Sequence, residues 1–294
     1  MIAQSASAPA PAAPLPRLRR GALGRLLANP AAVAGALLLL LILLAALTAP
    51  WVFPHDPLDM VGPPILWPGQ DHEFWLGTDT MGRDVAASLA HGARVSLTVG
   101  VTAALLSLVI GIAIGAAAGY FGGWVDVALM RVTELLQTIP AFLLVVVIVA
   151  IARPSVTVIA LSIGVASWPV VARLVRAEFR TLRESEFVQA ARSLGFSHAR
   201  IALREILPNA LPPVIVTTSV LVANAILMES ALSVMNMGDP NAVSWGSMIG
   251  DAREMLRTAW YLAALPGVSI ILTVLSLNLL GDALNDAFNP RLSR

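Results

Sequence analysis

The chain has 294 residues and a formal net charge of +1, with 57% hydrophobic and only 13% charged residues. Soluble domains carry about 25% charged residues, so the composition points away from a soluble fold and to an all-α polytopic membrane protein. With no cysteine there is no disulfide framework and no thiolate metal site, and with no lysine there is no Walker A loop, whose lysine reaches the nucleotide phosphates.

Residues 1–30 are Ala/Pro-rich and then basic (Arg17, Arg19, Arg20, Arg25), which reads as a disordered tail and a membrane-proximal basic patch. The apolar run 31–53 follows "RLRR" and ends near "ALTA", as a signal peptide does. At about twenty apolar residues it exceeds the roughly 7–15 of a signal h-region, so it is taken as an uncleaved first span. Crossing a bilayer core of about 30 Å takes roughly 20 apolar residues of helix. After an extracytoplasmic segment at 54–95, further spans are expected at about 96–119, 131–152, 155–175, 211–232 and 261–283, giving six transmembrane helices. Pro140 and Pro169 fall inside the third and fourth, where neighbouring helices tolerate a kink. Gly111, Gly115 and Gly119 recur every four residues on one face of the second span, a spacing that lets another helix approach closely. Trp51, Trp124 and the Trp260–Tyr261 pair sit at span ends, as interfacial aromatics do.

Orientation follows from the arginines. With the N-terminus inside, fourteen arginines fall in cytoplasmic segments and five outside (Arg83, Arg94, Arg153, Arg253, Arg257), so positive-inside bias predicts both termini in the cytoplasm. The largest internal cytoplasmic loop is then 176–210, between spans four and five. There Phe187, Ala190, Ala191 and Leu194 recur at i, i+3, i+4 and i+7, one apolar stripe of a short helix, and Gly195 follows where a helix ends. From Arg173 to Asn209 the chain carries seven arginines and four glutamates. Physics alone leaves two readings open: a basic loop on anionic headgroups, or a helix that docks a protein.

The spacing "QAA", three residues, Gly, nine residues, then "EILP" resembles the EAA loop of binding-protein-dependent ABC importer permeases. In that family the loop forms the coupling helix that seats in a cleft of the ATPase subunit. The resemblance assigns ATPase coupling to Gln189, Ala190, Ala191, Gly195, Leu207 and Pro208, with Phe187 and Leu194 on the same helix stripe. Gln189 stands where Glu is typical and Glu205 where Ile is, so Gln189 keeps hydrogen-bonding capacity but not the charge. "WLGTDTMGRDVAASLAHGARVSLTVG" (75–100), "GYFGGWVD" (119–126), "SWGSMI" (244–249) and "NLLGDALNDAFNPRL" (278–292) are similar to segments of the dipeptide, oligopeptide and nickel subgroup. "SVMNMGDPN" (233–241) departs from that subgroup's usual "SFLGLG".

The resemblance implies a permease domain over 96–294 that pairs with a second, homologous permease to form a pathway for peptides or similar small solutes. It further implies two cytoplasmic ATPase subunits that bind the ATP, an extracytoplasmic substrate-binding protein, and a place in a bacterial inner membrane among its lipids. No cofactor, catalytic residue, metal site or nucleic-acid contact is expected in this chain. A secondary transporter or channel working without ATPases is the alternative, with a membrane scaffold behind it.

Other polar positions carry two readings each. In "GTDTMGRD" Thr78 or Asp79 can cap a helix N-terminus and Asp79 can pair with Arg83 at i, i+4, or Asp79 and Asp84 can form a cation site; the structural reading is preferred. Glu229, Asn224 and Asn278 lie in apolar surroundings and are either pathway residues or interhelical contacts. The histidines, His55, His72, His91 and His198, all fall outside the predicted spans, and "HEFWL" has Leu76 where a zinc-protease motif needs its second histidine.

Overall fold

In the computed structural model, residues 29–288 are described; the expected basic patch before them, and Arg291 and Arg294 after them, lie outside the described residues. α1 (Pro30–Val52) begins on Asn29, whose side-chain oxygen accepts from the Ala31 and Ala32 amides at 3.0 and 3.4 Å. Pro30 costs nothing there, because a first-turn N–H has no helical partner to lose. α2 (Val85–Phe121) is 37 residues long and capped by Asp84. It starts well before the expected residue 96, because the Asp84 cap lets "DVAASLAHGARVSL" continue the helix beyond the apolar stretch.

The expected third span, 131–152, is not one helix. α3 (Gly123–Gln137) and α4 (Ala141–Ala152) meet at 78°. Pro140 explains the break: it lacks the N–H, its ring clashes with a carbonyl one turn back, and it pushes Ile139 away from helical angles. α5 (Val156–Arg183) by contrast carries Pro169 inside an unbroken 28-residue helix and runs through the start of the expected loop. A short helix, α6 (Glu186–Ser193), follows. α7 spans His198–Val234 and passes through a π-helical turn at Ile201–Ile206. That widened turn directly precedes Pro208, whose ring would otherwise meet the Arg204 carbonyl. α8 (Trp245–Ala252) opens on a Ser244/Ser247 capping box, and α9 (Tyr261–Phe288) closes the described chain. Among the described residues, five helices are long and apolar enough to cross a membrane, and the bent α3–α4 pair, counted as one span, makes a sixth crossing.

Contacts order these elements between two ends. At one end the Tyr120 hydroxyl meets His198, and Arg183 reaches the Tyr120 carbonyl. At the other, Val156 N donates to Asp239, His91 meets the Phe53 carbonyl, and Trp245 Nε1 donates to the Leu89 carbonyl. α1 therefore runs antiparallel to α2, α5 to α7 and α7 to α9, whereas α2 and α5 run the same way, so the α3–α4 pair must traverse the bundle to join them. Gly35 of α1 packs against Ser276 and Leu279 of α9, so the start of α1 and the end of α9 share the end that carries α6.

The bundle core is the α2–α5 seam. A β-carbon on Gly111 would lie 2.5 Å from Val171 Cβ, on Gly115 2.4 Å from the Ala172 carbonyl oxygen, and on Gly119 2.6 Å from Phe179 Cβ. The four-residue glycine spacing thus serves ordinary, very close helix packing, which brings dispersion contacts and near-backbone polar links into range. Ser107 Oγ exploits it, reaching the Gly164 carbonyl at 3.0 Å.

Candidate functional site: the α6 platform

α6 is eight residues long, too short to hold its shape alone, and its stability comes from what it sits on. Val188 and Ala191 are buried and join Phe179 of α5 and Ile201 and Ile206 of α7 in one apolar cluster. Burying a valine side chain is worth about 1.5–3 kcal/mol, enough to fix a two-turn helix against a preformed floor.

Its C-terminus is closed by a Schellman motif. Gly195 N donates to the Arg192 carbonyl and Phe196 N to the Ala191 carbonyl, at 2.9 and 3.2 Å. The motif needs a left-handed residue after the helix, and Gly195 supplies it at φ +75°. Phe196 packs back on the cluster, and the Arg200 guanidinium carbon lies 3.7 Å from its ring centroid.

The expected four-residue stripe divides in two. Ala191 turns inward with Val188, whereas Phe187 (41% exposed), Ala190 and Leu194 (73% exposed) form an outward apolar face. Sequence periodicity missed Val188 as the anchor because "FVQAA" places apolar residues on both faces of a short helix. Gln189 is exposed, and its amide donates to the Glu184 carbonyl at 3.1 Å, so it secures the turn into α6. Leu207 is half-buried against the supporting cluster and Pro208 is exposed in α7; neither belongs to the outward face.

Three polar links tie this platform to the bundle. Tyr120, at the end of α2, hydrogen-bonds His198 Nδ1 at 2.8 Å, with the two rings edge to face. Arg183 Nη1 donates to the Tyr120 carbonyl at 3.2 Å. Nearby, Arg176 grips Asp126 through Nε and through Nη2, the latter at 2.7 Å from Oδ2. The sequence held no signal for these pairs, which lie 50 or more residues apart.

The remaining candidate residues do not gather at one place. Asn224 is exposed on a face of α7 with Val220 and Leu227, and Asn278 on a face of α9 with Ile271 and Leu275. Neither side chain hydrogen-bonds within the described residues, so neither makes the interhelical contact that was one of its two readings. Glu229 does make such a contact. It is 2% exposed and accepts from Ser233 Oγ at 2.7 Å and Ser96 Oγ at 3.2 Å, with Ser230 Oγ at 3.5 Å. It ties α7 to α2 and, through Ser244 and the Trp245 amide, to the start of α8. The cap of α2 is Asp84, not Thr78 or Asp79: Asp84 accepts from the Ala86 amide, while Asp79 accepts from the Met81 and Arg83 amides in the turn before the helix. Arg83, however, pairs with Asp251 of α8 and not with Asp79. No group of metal-ligating side chains occurs among the described residues.

The arrangement is an outward apolar helix seated on α5 and α7, with α2 joined to it through Tyr120 and His198. A family model described as "Binding-protein-dependent transport system inner membrane component" matches residues 111–294. The chain belongs to this family. A second model, the N-terminal TM domain of oligopeptide transport permease C, matches residues 18–65. Among curated relatives, a di/tripeptide transport system permease protein of Pseudomonas aeruginosa is 38% identical over 270 residues, covering 90% of this chain and 89% of its own. A glutathione transport system permease protein of Escherichia coli is 34% identical, covering 89% and 86%. The membrane subunit fold extends to an inward-facing MetNI methionine ABC transporter structure, with a TM-score of 0.56 and 17% identity over 69% of this chain and 97% of that one. This binding-protein-dependent permease is therefore a membrane component of an ABC importer, with its apolar platform at the end of the bundle where both described termini lie.

Proposed function

We propose that the chain is one of two homologous permeases forming a pathway for peptides or similar small solutes, and that α6 is the coupling helix that seats in a cytoplasmic ATPase. The observation that carries the proposal is the division of α6. One face packs on α5 and α7, which Tyr120 ties to α2 through His198 and Arg183, and the other presents Phe187, Ala190 and Leu194 to the outside. A helix so seated passes a push on its outer face directly to α5 and α7, and to α2 through the Tyr120–His198 bond. Exposed apolar side chains next to Arg192 suit a protein cleft, since such clusters mark interaction sites. The charge bias of the arginines supports a cytoplasmic position for this end of the bundle and for both termini.

The nucleotide chemistry belongs to two ATPase subunits, and an extracytoplasmic protein delivers the solute at the opposite end. Peptide-class substrates are supported by the names of relatives matched over most of their length. Asn224 and Asn278 are assigned to the pathway or the partner-permease interface, because an unpaired amide facing hydrocarbon costs free energy that a polar partner would recover. Glu229 is assigned to holding α2, α7 and α8 together.

The test is co-purification of the tagged chain with its gene neighbours in mild detergent. A second permease and ATPases should co-elute with the native chain, and the ATPases should be lost from a Phe187→Asp/Leu194→Asp variant that still inserts and still retains the second permease. A chain that elutes alone yet moves solute in vesicles without ATP would overturn the reading.

A further inference from the structure

At the end of the bundle opposite α6, the first turn of α2, the end of α7 and helix α8 enclose a cavity of about 310 Å³. That volume is at the small end of ligand pockets, which run from about 300 Å³ upward. Its walls include Met81, Arg83, Ser88, Asn236, Ser247 and Asp251.

Arg83 and Asp251 stand apart from the other charges there. Asp79 Oδ1 accepts from the Met81 and Arg83 amides at 2.8 and 2.9 Å. Asp239 has both oxygens engaged, by the Val156 amide at 3.0 Å and the Asn241 amide at 2.9 Å. These two carboxylates are committed to shaping the loops. Among the described residues Arg83 has no hydrogen-bond acceptor for its buried Nε, and its one ionic partner is Asp251 at 3.8 Å, beyond hydrogen-bond length. Asp251 in turn has no hydrogen-bond donor among the described residues. One wall thus holds a cationic fork lacking an acceptor and, beside it, a carboxylate lacking a donor.

Side chains packed only against each other would close that gap, because guanidinium and carboxylate readily form two parallel hydrogen bonds. Held apart, they match a ligand carrying both complementary charges. We infer that this cavity is a subsite for a small zwitterion, of dipeptide size, whose carboxylate lies on Arg83 and whose ammonium lies on Asp251. The inference rests on the peptide-class reading above and adds to it a contact made by the permease itself. Guanidinium–carboxylate recognition is directional, so a ligand lacking its carboxylate loses the largely buried Arg83 fork, and one lacking its ammonium leaves Asp251, 61% exposed, to water.

The chain has no cysteine, which allows a single-thiol protection experiment. Met81 lines the cavity and is 50% exposed. The full-length Met81→Cys chain, assembled with its partner permease in nanodiscs without the binding protein, is labelled with a charged maleimide while L-alanyl-L-alanine is titrated. Alanylalanine should slow labelling at least ten-fold at saturation. Its C-terminal amide and its N-acetyl derivative should each need ten-fold or more higher concentration for half-protection. Arg83→Gln should abolish the preference for the free carboxylate, and Asp251→Asn the preference for the free ammonium, with the unprotected labelling rate unchanged as evidence that the site is intact. Should Arg83→Gln change that unprotected rate, Arg83→Lys, which keeps the charge but not the fork, replaces it. Equal protection by all three ligands, or no protection of a normally labelled thiol, would overturn the inference. Loss of the ATPases on co-purification would leave these labelling results standing, so the two readings fail separately.

Discussion

The hydroxyl of Tyr120, in the last turn of α2, lies 2.8 Å from Nδ1 of His198, the first residue of α7. This contact joins α2 to the segment that leaves α6, and so bears on how a displacement of α6 spreads. A neutral hydrogen bond of this kind is worth about 1 kcal/mol net. Tyr120→Phe should leave insertion and assembly intact, because the ring still meets the imidazole edge to face. Solute moved per ATP hydrolysed in proteoliposomes should fall several-fold. His198→Ala should have the same effect, and the double variant should add little to either.

Gly195 adopts φ +75°, and a β-carbon there would meet nothing within 4 Å. Gly195→Ala therefore introduces no clash; its cost is backbone strain, about 1–2 kcal/mol for a left-handed residue. The Schellman bonds should open, seen as faster hydrogen exchange at the amides of residues 195 and 196. Thermal stability of the membrane bundle should stay within a degree or two.

Leu194 is 73% exposed and contributes little to the fold. Leu194→Arg should change stability by no more than about 0.5 kcal/mol, while co-eluting ATPase drops at least ten-fold.

The α2–α5 seam gives the opposite pattern. A β-carbon on Gly115 would stand 2.4 Å from the Ala172 carbonyl oxygen, so even Gly115→Ala must push two backbones apart. Overpacking of this kind costs about 1–3 kcal/mol, and Gly115→Leu should leave little folded protein by fluorescence size exclusion. Gly267, in α9, has nothing within 4 Å of a β-carbon, so Gly267→Ala should stabilise by up to about 1 kcal/mol.

Removing Glu229 strands the hydroxyls of Ser96 and Ser233 and loosens the start of α8. Glu229→Ala should lower thermal stability by an amount consistent with about 1–3 kcal/mol for unsatisfied buried groups, with Glu229→Gln milder because one acceptor oxygen remains. ATPase co-elution should be unaffected, since α6 is at the far end of the bundle.

Apolar run length, arginine placement and the spacing around Gly195 were enough to read a membrane-spanning helical bundle, an amphipathic helix in the 176–210 loop and the family to which the chain belongs. These signals are local: bilayer thickness sets a run length, and a Schellman glycine marks a helix end within a few residues. What the sequence could not supply was anything depending on two distant segments. Whether Ala191 faced in or out hinged on Phe179 and Ile206 lying beneath it. The unbroken passage of α5 through Pro169, against the 78° break at Pro140, shows the same dependence. Pro169 is buried within the bundle, where neighbours hold its helix together, and Pro140 is exposed. The partners of Glu229, Arg83 and Tyr120 were equally hidden. A hydroxyl or a charge finds its partner across space, and only the packing of α2 against α5, α7 and α8 decided which groups could meet.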